Sequence, residues 1–148
     1  MKQKLQKLLS QNSFVELCTV NPAGMPETRA MINLRNKEIA PHLQGFFAEQ
    51  PLNEIYFITN TSSAKIAHLA KNNKASVYLC DARTFEGILL LGDAGEVKDA
   101  AVKDAFWDDS WKMYYPAGKD GGDYSVLKFT ARRYKFYNGQ FKVKSGDI

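Results

Sequence analysis

A short segment rich in hydroxyl groups lies between an apolar run and a helical pattern, and it carries one cation. Phe57-Ile58-Thr59 ends the apolar run, and Asn60-Thr61-Ser62-Ser63-Ala64-Lys65 follows it. Apolar residues then recur at helical spacing: Ile66, Leu69 and Ala70. A strand that leads through serines into a helix N-terminus gathers unpaired backbone N–H groups, hydroxyl donors and a positive dipole end. This pattern predicts an anion site beside Lys65. The alternative is that Ser62 or Ser63 only caps the helix and Lys65 is solvated.

An arginine occupies the middle of a predicted strand upstream of this segment. From Thr28 to Arg35 the residues alternate in part, which puts Arg29, Met31 and Asn33 on one face. Arginine in such a place is most often an edge residue in solvent. It also suits a phosphate group, because its planar guanidinium can donate two parallel hydrogen bonds. The pattern alone leaves both interpretations open.

The order and spacing of several short segments resemble one known family. They are, in chain order, Arg29-Ala30-Met31, Ile55-Tyr56-Phe57-Ile58-Thr59, Ser63-x-Lys65, Asn72-Asn73-Lys74-Ala75-Ser76-Val77 and Gly92. In these features the chain resembles the FMN-binding split-barrel proteins, which are the pyridoxamine 5'-phosphate oxidase-like proteins, and among them the small general stress proteins. The resemblance extends from about Phe14 to Val97. It implies a mainly β (α+β) fold, an antiparallel split β-barrel with peripheral helices.

The resemblance also implies a binding site for FMN. Arg29, Ser63 and Lys65 would hold the FMN phosphate, and the Thr59 hydroxyl would add a hydrogen bond. The backbone from Ala30 to Asn33 would line the edge of the isoalloxazine ring, where N–H donors stabilise negative charge. No residue is assigned a catalytic role. The implied cofactor-binding residues are Arg29, Ala30, Met31, Ile32, Asn33, Ile58, Thr59, Ser63, Lys65 and Trp111.

Three positions depart from the pattern of the true oxidases in this family. Those enzymes carry an arginine–lysine pair where this chain has Ala64-Lys65, a lysine where it has Leu34, and often a glutamine where it has Gly87. Their C-terminal substrate-binding pattern has no counterpart from Asn138 to Ile148. We therefore expect a small FMN-dependent oxidoreductase that uses NAD(P)H or another electron donor and a small acceptor, and not a true pyridoxamine 5'-phosphate oxidase.

Two other classes of function remain open. The same barrel could bind flavin or haem without turnover, or an OB-like barrel could stack nucleic-acid bases on tyrosine and phenylalanine. Against nucleic acid, the basic residues are scattered apart from Arg132-Arg133 and the pair Lys142 and Lys144. The two histidines, His42 and His68, are too few for a His-rich metal site. We expect no metal and no nucleic-acid partner.

Length and composition predict a single domain over residues 1–148, with 45% hydrophobic and 24% charged residues. No apolar stretch approaches the ~20 residues of a membrane helix. Met1 to Leu9 is charged and lacks the apolar core of a secretory signal. Cys18 and Cys80 fall in predicted strands and indicate reduced thiols, so we expect a cytoplasmic protein. The net charge of +4 agrees with an anionic ligand without requiring one.

Aromatic residues follow the last predicted helix and could pack in the core or between subunits. In the resembled family, aromatic residues from this region of one subunit can cover the flavin of the other, which makes Trp111 the candidate here. Exposed aromatics such as Trp111 and Tyr114 would form an apolar patch that monomers avoid. We therefore predict a two-fold homodimer with two flavin sites, each lined by both chains. His68 is expected on the flank of its helix, in solvent or at the rim of the core.

Strands dominate the periodicity. Strands are predicted at Phe14–Val20, Thr28–Arg35, Glu54–Asn60, Ala75–Asp81, Ile88–Lys98 and Ser125–Ala131. Helices are predicted up to about Gln11, from Ser63 to Asn72, and from Asp99 to about Asp109. Residues 36–53 are predicted to form a long loop with a short strand or turn near Phe46-Phe47. Residues 133–143 are predicted to form a hairpin with its turn at Asn138-Gly139.

Overall fold

The structure, a computed structural model, describes residues 1–140 and 142–148. Its strands are β1 (Phe14–Val20), β2 (Pro26–Ile32), β3 (Glu54–Asn60), β4 (Lys74–Asp81), β5 (Glu86–Glu96), β6 (Tyr124–Asn138) and β7 (Val143–Asp147). Its α-helices are α1 (Lys2–Gln11), α2 (Gln44–Ala48), α3 (Ala64–Lys71) and α4 (Ala100–Phe106), with 3₁₀ turns at Pro41–Leu43 and Asp109–Met113. None of the helices in these two ranges is long and apolar enough to span a membrane.

One seven-stranded sheet organises the chain. Its order is β2-β1-β4-β5-β6-β3, with β7 paired to β6, and every neighbouring pair is antiparallel. The two end strands, β2 and β3, also come into contact, which closes the sheet into a barrel. The prediction of a mainly β, antiparallel split barrel with peripheral helices is confirmed.

The barrel interior is filled by alternate residues of the strands, as a closed sheet requires. Its most buried side chains include Leu17, Phe57, Val77, Ile88, Leu90 and Phe129. The register shifts between Leu91 and Gly92, where β5 bends against β6. A Cβ atom at Gly92 would lie 2.0 Å from the Thr130 carbonyl oxygen, so only glycine fits this close approach.

A second apolar cluster covers the outer face of β3. Tyr56 and Ile58 pack there against Phe106 of α4 and Trp111 of the second 3₁₀ turn. Because the odd residues of β3 face the barrel and these even ones face the cluster, the strand is buried on both sides. The cluster therefore fixes β3, and with it the strand end that leads into α3.

Several predicted boundaries are wrong. The first of them, the end of β2, is explained by long-range contacts. β2 ends at Ile32 and not at Arg35, since the Asn33 amide Nδ2 donates to the carbonyl oxygens of Leu9 and Asn12. Asn33 also donates its backbone N–H to Ser13. These bonds turn the chain toward the end of α1.

Two further differences concern the loop and the hairpin. The region near Phe46-Phe47 is the helix α2 and not a strand, because both rings are held by aromatic contacts with Tyr56 and Phe106. The predicted strand Ser125–Ala131 and the first arm of the predicted hairpin form one continuous strand, β6. A hairpin is present, but the predicted bounds are wrong: the return strand β7 begins only at Val143, where the predicted hairpin ends. Phe141, between the two strands, lies outside the described residues. The helix after Asp99 ends earlier than predicted, at Phe106.

Candidate functional site

The hydroxyl-rich segment folds around its own lysine. Lys65 lies in the first turn of α3, and its Nζ donates to Thr59 Oγ1 at 2.9 Å and to the Ser63 hydroxyl. Ser63 is the N-cap residue, but its side chain makes no capping hydrogen bond. The backbone N–H of Ser62 donates instead to Asp123 Oδ1 at 2.9 Å. The alternative of a simple serine cap with a solvated lysine is therefore wrong.

Arg29 of β2 lies near the start of α3, and we call this part of the barrel, with Lys65 and Arg29, the corner. Its Nη1 donates to Thr19 Oγ1 at 2.7 Å and to the Leu17 carbonyl oxygen at 3.3 Å. Its Nη2 lies 3.6 Å from Glu27 Oε2, a distance typical of a loose ion pair, and its side chain is 23% exposed. β2 is an edge strand, yet this guanidinium lies along the protein and does not extend into solvent. Arg29 lies close enough to Lys65 for its positive charge to lower the pKa of that ammonium group.

The electrostatics of this corner are those of cations without a full counter-charge. The pKa of Lys65 is lowered from its usual 10.5, first by burial and then by the positive charge of Arg29. Among the described residues, no carboxylate lies within salt-bridge distance of Lys65 Nζ. A half-buried ammonium that meets a second cation is unfavourable, and a bound anion would remove this penalty. The positive end of the α3 dipole adds to the same preference.

Two buried residues that sequence reasoning missed complete the corner. Thr19 on β1 is fully buried, and its Oγ1 lies 3.0 Å from His68 Nδ1 in α3. His68 is itself buried, so the expectation of a solvent or rim position is wrong. One signal was available: Lys65 and His68 are three residues apart in a helix, which places them on the same side.

The outer edge of β2 carries backbone groups that are not paired within the sheet. The Asn33 N–H bonds to Ser13 and the Asn21 N–H bonds to Met25, which identifies the odd residues of β2 as those paired with β1. Hydrogen-bonded pairs alternate in an antiparallel ladder, so Ala30 and Ile32 direct their N–H and C=O groups to the open edge. In the part of the chain that the structure describes, no strand pairs with this edge.

The side chains of residues 30–33 do not lie together on one surface. Met31 is buried in the barrel core, and Ile32 packs against the second cluster. Ala30 is exposed. The Asn33 side chain is 1% exposed and both ends of its amide are used, because Oδ1 also accepts from the Arg35 N–H. The Asn33 side chain is therefore structural in this chain.

Two other predicted residues lie apart from Arg29 and Lys65, which we call the cation pair. Ile58 faces the second cluster, on the side of β3 opposite Thr59. Trp111 is only 7% exposed and packs edge-on against His42, with 5.4 Å between ring centroids. The prediction that Trp111 is exposed is wrong, because the cluster over β3 takes up its ring. Tyr114 is exposed as predicted.

Two of the three positions that depart from the oxidase pattern, Leu34 and Gly87, have clear structural roles. Leu34 is buried in the second cluster, where a lysine would bring a charge into an apolar environment. At Gly87, a Cβ atom would lie 2.4 Å from the hydroxyl oxygen of Tyr78, so a glutamine there would require Tyr78 to move. Ala64 is exposed at the first position of α3.

The family model described as pyridoxamine 5'-phosphate oxidase matches residues 1–138, which is most of the chain. The chain belongs to this family. A comparison with curated protein sequences gives no match.

Solved structures give the same picture of the fold. A protein from Clostridium acetobutylicum, described as related to general stress protein 26 of B. subtilis and as a member of the pyridoxinephosphate oxidase family, is 29% identical with a TM-score of 0.80, over 99% of this chain and 93% of that chain. General stress protein 26 from Bacillus anthracis is 18% identical with a TM-score of 0.72, over 99% and 98% of the two chains. A heme binding protein from Mycobacterium smegmatis is 17% identical with a TM-score of 0.67, over 97% of this chain and 56% of that one.

Proposed function

We propose that this chain is an FMN-binding split-barrel flavoprotein related to the general stress proteins. One observation supports the proposal most directly: Lys65 is half-buried beside Arg29, its pKa is lowered, and the described residues supply no carboxylate partner for it. Such a cation pair binds an anion with a net gain, because the anion replaces the missing counter-charge. The phosphate of FMN is the anion that the family suggests.

Each residue of the corner has a definite part in the proposal. Lys65 and Arg29 hold the phosphate, and the hydroxyls of Thr59 and Ser63 orient the Lys65 ammonium. The open edge of β2 at Ala30 and Ile32 offers N–H donors to the flavin ring. Asn33 does not contribute its side chain, which is used within the fold.

Bound FMN would supply the redox chemistry, which the side chains of the site do not provide. The protein is then a small oxidoreductase that accepts electrons from NAD(P)H or another small donor. Oxidation of pyridoxamine 5'-phosphate is not expected, because Leu34 and Gly87 occupy packed positions where the true oxidases carry functional side chains. A cytoplasmic location, consistent with two unpaired cysteines, is part of the same proposal.

A second candidate function is cofactor binding without turnover, with flavin or haem as the ligand. The likeness to a heme binding protein supports this candidate. The histidines argue against haem ligation by imidazole. His42 Nε2 lies 3.2 Å from the Phe106 carbonyl oxygen, and His68 is only 6% exposed inside the fold.

We also propose that the protein is a two-fold symmetric homodimer. The unpaired edge of β2 and the exposed side chains of Met113 and Tyr114, 75% and 51% exposed, are surfaces that a second copy would cover. Sedimentation at micromolar concentration should give about twice 16.7 kDa. A monomer that still binds FMN tightly would rule out a shared flavin site and leave the cofactor assignment intact.

The test of the function is identification of the bound cofactor. The protein is purified without added flavin, denatured, and its small-molecule extract is analysed by absorbance and mass spectrometry. We expect FMN in an amount close to the number of chains. Haem, with its Soret band, would favour the second candidate. Riboflavin without phosphate would contradict the role given to Lys65 and Arg29.

A further inference from the structure

A chain of buried hydrogen bonds leads from the cation pair into the barrel wall. Arg29 Nη1 donates to Thr19 Oγ1 at 2.7 Å, and the same oxygen lies 3.0 Å from His68 Nδ1. Thr19 is 0% exposed and His68 is 6% exposed, so water does not compete freely for these contacts. Three elements, β2, β1 and α3, thus meet at one hydroxyl group.

The chemistry of the groups fixes the direction of one of these two bonds. A guanidinium only donates hydrogen bonds, so Thr19 Oγ1 accepts from Arg29. Between the Thr19 hydroxyl and His68 Nδ1 either group can be the donor, depending on the tautomer of the ring. With either tautomer, the bond to His68 orients the Thr19 hydroxyl and leaves an oxygen lone pair for Arg29.

We propose that Thr19 and His68 are positioning residues of the anion site. The hydroxyl of Thr19, oriented by His68, holds the Arg29 guanidinium in the place from which it binds the cofactor phosphate. This inference rests on the proposed function, because it assigns a device to the same site. Neither residue is required to touch the cofactor.

The position of Arg29 needs such support because its other contacts are weak. Its bond to the Leu17 carbonyl oxygen is 3.3 Å long, and Glu27 Oε2 is 3.6 Å away. Without Thr19, the guanidinium is free to turn toward Glu27, which is 45% exposed on the surface. An arginine paired there would have to give up that ion pair before it could bind the phosphate, and the affinity for a phosphorylated ligand would fall.

The experiment compares FMN with riboflavin, which lacks the phosphate. Thr19→Val keeps the shape of the side chain and removes the hydroxyl, whereas Thr19→Ser keeps the hydroxyl. We expect Thr19→Val to weaken FMN binding by about fivefold or more while riboflavin binding stays within about twofold of wild type, and Thr19→Ser to restore FMN binding. The readout is flavin fluorescence titration of the apoprotein.

The histidine is tested by a pair of substitutions of the same kind. His68→Leu removes the polar partner of the Thr19 hydroxyl, and His68→Asn places an amide group near the former position of Nδ1. We expect His68→Leu to act like Thr19→Val and His68→Asn to retain most of the FMN affinity. Thr130→Val, on β6 and opposite Glu54 in the sheet, is the control for replacing a strand threonine. Thr130→Val should change neither the FMN affinity nor the riboflavin affinity.

The outcomes separate this inference from the proposed function. Equal losses of FMN and riboflavin affinity in Thr19→Val and His68→Leu would overturn the positioning role, because they would report general damage to the barrel. If wild-type protein binds no FMN, the proposed function fails, and a ³¹P titration with inorganic phosphate decides the inference instead. Weaker phosphate binding in Thr19→Val and its recovery in Thr19→Ser would support the positioning role. Unchanged phosphate binding, or none in wild type, would overturn it.

Discussion

Arg35 and Lys65 are both half-buried cations, and burial lowers the pKa of each. They differ in the groups that accept their hydrogen bonds. Arg35 Nη2 donates to the carbonyl oxygens of Pro51 at 2.7 Å and Glu54 at 3.0 Å. Its guanidinium also lies over the Phe47 ring, 4.8 Å from the centroid. Lys65 instead donates to the hydroxyls of Thr59 and Ser63.

The acceptors decide what each cation can do. Backbone carbonyls are fixed by the fold, so Arg35 is held between the end of β2 and the start of β3 and serves to join them. Hydroxyl groups rotate and can donate as well as accept, so Thr59 and Ser63 can turn to share an anion with Lys65. The contacts of Arg35 are therefore those of a structural residue, whereas the contacts of Lys65 leave room for the anion that we propose.

Replacing Arg35 should have the greatest effect, and the quantity affected should be the stability of the fold. Arg35→Met removes the donors of at least two carbonyl groups and should lower the free energy of unfolding by about 3 kcal/mol. The FMN affinity of the folded variant should remain unchanged, because Arg35 contacts none of the residues of the cation pair. Urea unfolding and flavin titration measure the two quantities. Lys37→Met, an exposed neighbour, is the control. A loss of FMN affinity without a loss of stability in Arg35→Met would reverse the comparison.

The next effect falls on the binding side. Lys65→Met should weaken FMN binding by more than about tenfold, since a charge-assisted contact contributes about 1.5–3 kcal/mol. Its stability without ligand should not fall, because the substitution removes a half-buried cation from beside Arg29. Lys71→Met, exposed in the last turn of the same helix, should leave FMN binding unchanged. Unaltered FMN affinity in Lys65→Met would remove the argument for an anion site.

The smallest effect is a pH dependence with a definite sign. Because the folded-state pKa of Lys65 lies below 10.5, its charge destabilises the folded protein fully at pH values below that lowered pKa. As the pH rises toward 10.5, the folded state releases the proton first and the penalty fades. The stability advantage of Lys65→Met over wild type should therefore shrink between neutral pH and 10.5. Urea titrations of wild type and Lys65→Met at each pH measure this difference in the free energy of unfolding. A difference that grows with pH would contradict the lowered pKa of Lys65.

Local features of the site could be predicted from the sequence, since they depend on residues close together in the chain. Thr59, Ser63 and Lys65 lie within one strand-to-helix connection, and their contacts follow from that connection. The contact between Thr19 and His68 could not be predicted in this way. It requires α3 to pack on β1, and nothing in the spacing of the chain states which helix covers which strand.

The same reason explains the wrong predictions. The end of β2 depends on the contact of Asn33 with Leu9 and Asn12, which only the folded chain brings together. Trp111 is aromatic and follows a helix, a pattern that fits both an exposed and a buried position. Its burial was decided by the neighbouring Phe106 and by β3, which needs cover on its outer face.

If Arg29 and Lys65 form a phosphate site, wild-type apoprotein should bind FMN more tightly than riboflavin. Both ligands are titrated by flavin fluorescence in the same buffer, free of phosphate. We expect FMN to bind more tightly by at least about tenfold, and added inorganic phosphate to weaken FMN binding without affecting riboflavin binding. Equal affinities for the two flavins would contradict it.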